Sequence, residues 1–136
     1  MIATYFWANP IGFMSKLKCI LIEDEEIAQN GFRKYLEQIN FIEITGIAST
    51  IEEAEMYHRL FTIDVQFVNL ELFGCSTISF LQKFRNTKTI VVSGYTSVEL
   101  SHYGIYPVDF LQKPVSFEQF SESCLMTYKK HLEILR

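Results

Sequence analysis

Residues 18–26 read KCILIEDEE. A short, unbroken apolar run, Cys19 to Ile22, stops on acids. Strands buried on both faces of a parallel sheet read this way, without the alternation of a half-exposed strand. Working outward, Ala28, Phe32, Tyr35, Leu36 and Ile39 recur at three- and four-residue steps, which predicts an amphipathic helix over Glu25 to Ile39. Phe41 to Ala48, rich in Ile, reads as a second strand. Ser49 and Thr50 precede Glu52 and Glu53, an N-cap followed by first-turn acids, and a helix to about Leu60 follows. Ile63 to Leu70 (IDVQFVNL) is the third predicted strand, and Gly74 marks a loop. Thr77 to Arg85 has Ile78, Leu81 and Phe84 on one side of a helix. Thr89 to Ser93 (TIVVS) is a fourth strand closed by Gly94, and Ser97 to Tyr103 reads as a short helix. Val108 to Leu111 is a fifth strand. Ser116 then caps a last helix with a stripe of Phe117, Phe120, Cys124, Tyr128, His131 and Leu135.

Five strands thus alternate with five helices, an α/β arrangement. Each crossover is long enough for a right-handed unit, giving a parallel sheet covered on both faces. Ligands of such sheets sit beyond the carboxyl ends of the strands. Those ends carry Glu23-Asp24-Glu25, Asn69, Ser93-Gly94 and Phe110-Leu111-Gln112-Lys113-Pro114. Carboxylates at this density suit a hard cation such as Mg²⁺. A lysine and a hydroxyl on the same edge suit the oxygens of a phosphoryl group. Glu25 and Glu26 are read differently, as acids that complement a helix dipole.

Composition narrows the function classes. The chain has 136 residues, enough for one domain, and 49% of them are hydrophobic, enough for a core. Twelve Lys and Arg against 16 Asp and Glu give a net charge of -4, which speaks against nucleic-acid binding by bulk charge. Cys19, Cys75 and Cys124 are odd in number and form no C-x-x-C pair, so they read as core residues of a reducing, cytoplasmic compartment. His58, His102 and His131 lack ligand spacing. No apolar run approaches the ~20 residues needed to cross a bilayer. Residues 1–13, MIATYFWANPIGF, are uncharged, without the cationic start of a secretory signal. Residues 1–15 are therefore expected to form an extension, disordered or offering an apolar patch to a partner, and 16–136 the domain. The last helix reaches Arg136, so no output domain fits after it within these residues, and the chain reads either as a single-domain regulator or as a piece of something longer.

From Lys18 to about Lys130 the chain resembles the receiver domains of two-component response regulators. The motifs that carry the likeness are ILIEDEE, FVNLELFG, VVSGY and VDFLQKP, in the family's order. The resemblance implies a CheY-like, flavodoxin-like (βα)5 three-layer sandwich with strand order 2-1-3-4-5. It puts Glu23 and Asp24 at the metal-binding acidic positions, with the backbone carbonyl of Glu71 as the third protein ligand. Ser93 and Lys113 fall at the phosphate-contacting positions and Phe110 at the aromatic switch. The Lys113-Pro114 bond is implied to be cis.

One departure decides the functional expectation. Asn69 stands where the family has its phospho-accepting Asp. An amide is a far poorer nucleophile toward phosphorus than a carboxylate. The swap also removes a charge worth on the order of 4 kcal/mol at about 4 Å before desolvation, so Mg²⁺ binding should weaken. The expected molecule is a degenerate receiver, not an enzyme, that signals through a protein partner: a histidine kinase, another regulator or an output protein. A homodimer through the Ser97–Tyr103 helix, the fifth strand and the last helix is a further expectation. That face carries Tyr95, Tyr103, Tyr106, Phe110, Phe117 and Phe120, as anchors or as core. The alternative is a working regulator switched by Mg²⁺ or by phosphorylation of another side chain. A flavin carrier would want a Gly-rich phosphate cradle where Glu23-Asp24-Glu25 stands. An aspartyl phosphatase would want a D-x-D pair, which Glu23-x-Glu25 matches poorly.

Overall fold

The computed structural model describes residues 16–71, 74–95 and 99–135. The expected extension, residues 1–15, lies outside them. Five parallel strands, β1 (Leu17–Ile22), β2 (Ile42–Ala48), β3 (Val65–Asn69), β4 (Lys88–Ser93) and β5 (Asp109–Gln112), form one sheet in the order β2-β1-β3-β4-β5. The α-helices are α1 (Glu26–Glu37), α2 (Ile51–Leu60), α3 (Cys75–Lys83) and α4 (Phe117–Leu135).

The expected count of five helices needs correction. Among the described residues there are four α-helices, and Leu100–Tyr103 is a single 3₁₀ turn. Only Leu100 of this turn is buried, too little apolar surface to hold a longer helix in place. Gly104, at φ 73°, then turns the chain left-handed and closes it.

The sheet separates two cores. On one face Leu21, Val65, Phe67 and Val92 pack with Leu36 of α1 and Phe120 and Cys124 of α4. On the other Ile20, Ile22, Val68 and Val91 pack with Ala54 of α2, Phe80 and Leu81 of α3, and Leu100. Successive β3 residues serve opposite faces, the two-residue period of a pleated strand. All five β3 residues are buried, which explains why the strand reads as an unpunctuated apolar run around one Gln. That Gln66 finds partners in His58 and Thr89 at 2.9 and 3.0 Å. At the helix starts, Thr50 Oγ1 accepts from Glu53 N–H, and Ser116 Oγ accepts from Gln119 N–H. These caps fix where α2 and α4 leave the loops at the carboxyl edge of the sheet.

Candidate functional site

The carboxyl edge is assembled from four strand ends. β1 and β3 are neighbours, paired Ile22 to Val68. Glu23, the first residue beyond β1, therefore lies beside Asn69 at the end of β3. Its side chain is buried, and both carboxylate oxygens are engaged. Oε1 accepts from Asn69 Nδ2 at 2.8 Å and Oε2 from the Glu25 N–H at 3.0 Å. Asn69 is spent in both directions, because its Oδ1 accepts from the Glu71 N–H at 3.2 Å. An Asp here would oppose a second carboxylate to Glu23, whereas the amide supplies a donor to it. Gln29 of α1 donates to the Glu23 carbonyl at 2.5 Å and to Ser49 Oγ at 3.1 Å, tying the start of α1 to the end of β2.

The second half of the site lies across β3 and β4. Ser93, fully buried at the end of β4, donates its hydroxyl to Glu71 Oε2 and accepts from the Tyr95 N–H at 3.0 Å. Gly94 N–H donates to Glu71 Oε1 at 2.9 Å. Lys113, one residue beyond β5, places its ammonium 3.4 Å from the same Oε1. The Lys113 N–H donates to the Ser93 carbonyl at 2.8 Å, which fixes the lysine against the end of β4. The Lys113–Pro114 peptide bond is cis. Burial works against the charge on Glu71. The hydrogen bonds from Ser93 and Gly94 and the charge of Lys113 outweigh it and hold the carboxyl below its usual range.

Of the residues singled out in the sequence, the structure thus brings together Glu23, Asn69, Ser93, Lys113 and Glu71. Asp24 is exposed. Phe110, on β5, is half-buried and packs against the core that holds Leu100 and Ile105. Sequence reasoning missed the side chain of Glu71, for which only the backbone carbonyl had a role. The signal available was an acid two residues past β3, on the same edge as a lysine.

The Glu23 oxygens and the Asn69 oxygen already accept protein hydrogen bonds. Among the described residues no three His, Cys, Asp or Glu side chains are grouped to hold a metal ion.

No protein-family model matches the chain. It is 27% identical over 118 residues to the sensory transduction protein LytT of Bacillus cereus, covering 84% of this chain and 48% of that protein. It is 25% identical over 126 residues to the transcriptional regulatory protein MalR of Bacillus subtilis, covering 87% and 52%. A CheY-like response regulator receiver domain protein from Methanospirillum hungatei superposes with a TM-score of 0.76 at 19% identity, over 88% of this chain and 98% of that one. The chain is similar to response regulators and has the fold of their CheY-like receiver domains. The chain spans about half the length of the curated relatives it matches. Among its described residues no helix is long and apolar enough to cross a membrane.

Proposed function

We propose that this receiver is a pseudo-receiver: a non-enzymatic protein-interaction module of phosphorelay signalling whose state is independent of phosphorylation at the end of β3. The observation that carries the reading is Asn69, an amide hydrogen-bonded through its nitrogen to Glu23 and through its oxygen to the Glu71 backbone. Aspartyl phosphorylation needs a free carboxylate oxygen to attack phosphorus as the leaving group departs. Asn69 offers a neutral oxygen already engaged with a backbone donor. Weakened Mg²⁺ binding belongs to the same reading, because the cation would have to displace hydrogen bonds already made.

The partner on this reading is a protein: a histidine kinase, another regulator or an output protein. Tyr95, Tyr103 and Tyr106 are all exposed around the 3₁₀ turn and the entry to β5, and Tyr is a common interface anchor. Phe120 on the same expected face is fully buried, so the aromatics divide between surface and core.

Incubation with acetyl phosphate and Mg²⁺ tests the reading. The intact mass is expected to stay that of the unmodified chain. A phosphoryl adduct mapped to the peptide containing Asn69 overturns it.

A further inference from the structure

Three donors at the carboxyl edge of the sheet are engaged by a single side chain. The Ser93 hydroxyl, the Gly94 N–H and the Lys113 ammonium belong to two different strand ends, yet all converge on one carboxylate, Glu71. They divide between its oxygens as they would between the oxygens of a small anion. Ser93 meets Oε2, while Gly94 and Lys113 share Oε1. The Lys113–Glu71 contact itself is open to solvent, whereas the Ser93 hydroxyl that meets the same carboxylate belongs to a fully buried residue.

We propose that Glu71 is a tethered occupant of the phosphoryl seat, holding Ser93 and Lys113 in a ligand-bound arrangement that no external phosphate has to establish. The proposal rests on the pseudo-receiver reading and deepens it. Asn69 removes the attacking group, and Glu71 supplies the anion that attack would otherwise have delivered. Tethering makes the difference energetically. A carboxylate carried on the loop directly after β3 binds at a high effective concentration, whereas a free anion meets its full association cost. A tetrahedral oxyanion such as inorganic phosphate must therefore displace Glu71 before it reaches the same three donors. The negative charge of the Glu71 carboxylate faces the one positive charge of Lys113.

The Gly94 amide is the reporter, because its proton points at Glu71 Oε1. In the unmodified protein, titration with inorganic phosphate is expected to leave the Gly94 amide resonance in place. In Glu71→Ala the seat is open. The same titration should then give a saturable shift at Gly94, with an apparent affinity at least about tenfold above that of the unmodified protein. Adding Lys113→Ala to that variant should abolish the shift. Glu71→Gln keeps the side chain's shape without its charge and covers the case in which Glu71→Ala does not fold. It should move the Gly94 amide and bind phosphate more tightly than the unmodified protein. Equal phosphate affinity in the unmodified protein and in the folded variant overturns the proposal. So does a Gly94 resonance that ignores Glu71→Gln. Neither result touches Asn69, so the pseudo-receiver reading stands or falls separately, on the acetyl phosphate experiment.

Discussion

Gly46 shows how one residue can be required by a contact far from it in sequence. A Cβ built on it would lie 2.2 Å from the Tyr57 ring of α2, so the tyrosine lies directly over the bare backbone of β2. The register of β1 on β2 also slips between Cys19 and Ile20, immediately beside this point. Gly46→Ala must push Tyr57 off the strand and away from the core it flanks. The expected loss is about 1–3 kcal/mol, as for other overpacked sites, read as a lower urea midpoint at unchanged slope. An unchanged midpoint would show that the ring is not held there. This requirement was invisible in the sequence, because a close approach between a helix and a strand leaves no local spacing. The same holds for Glu71. Its position past β3 can be read, but where its side chain reaches depends on β4 and β5 arriving beside it. Asn69, by contrast, could be singled out from the sequence, because the pattern places it at a strand end and the resemblance puts a phospho-accepting Asp at that position.

Between elements, α2, α3 and β3 are joined by a polar cluster under an aromatic lid. His58 stacks on Phe84 with ring centroids 3.9 Å apart and bonds Gln66, which in turn donates to Thr89. Burial pushes the His58 pKa below its ordinary 6.5, against smaller opposing effects from the Gln66 hydrogen bond and the charge of Glu55. The unfolded chain therefore takes up a proton at a higher pH than the folded one. The contribution to stability is complete above the ordinary histidine value and falls as pH drops through it toward the folded value. The melting temperature of His58→Gln should accordingly fall less between pH 7.5 and pH 5.5 (about one unit either side of the ordinary value) than that of the unmodified protein. Parallel slopes would remove His58 as the cause. At this scale the strands were the most legible elements, since strands buried on both faces spell themselves as apolar runs bounded by Gly or acids. The helix expected over Ser97–Tyr103 is, in its described part, only the 3₁₀ turn Leu100–Tyr103, too short a stretch to carry a period, and residues 97–98 lie outside the described residues.

For the whole molecule, a parallel sheet covered on both faces follows from the alternating strand and helix signals with the right-handed crossover rule, whereas the order β2-β1-β3-β4-β5 was implied only by the family resemblance. The exposed tyrosines lie at the β5 end of the sheet, where an edge strand also offers unpaired backbone. If this face joins two copies, light scattering across a concentration series should show mass rising toward that of a dimer, and Tyr106→Ser should hold it at the monomer. A constant monomer mass in the unmodified protein assigns the face to a different partner.

The amide bridge from Asn69 to Glu23 has a last consequence. Two carboxylates placed side by side at a sheet edge would repel each other, and a divalent ion between them would relieve that repulsion. Here a nitrogen neutralises that tension from inside the chain. Moving from a chelator to excess magnesium should therefore raise the melting temperature less for this protein than for Asn69→Asp, its shape only loosely tied to the ionic supply of its surroundings.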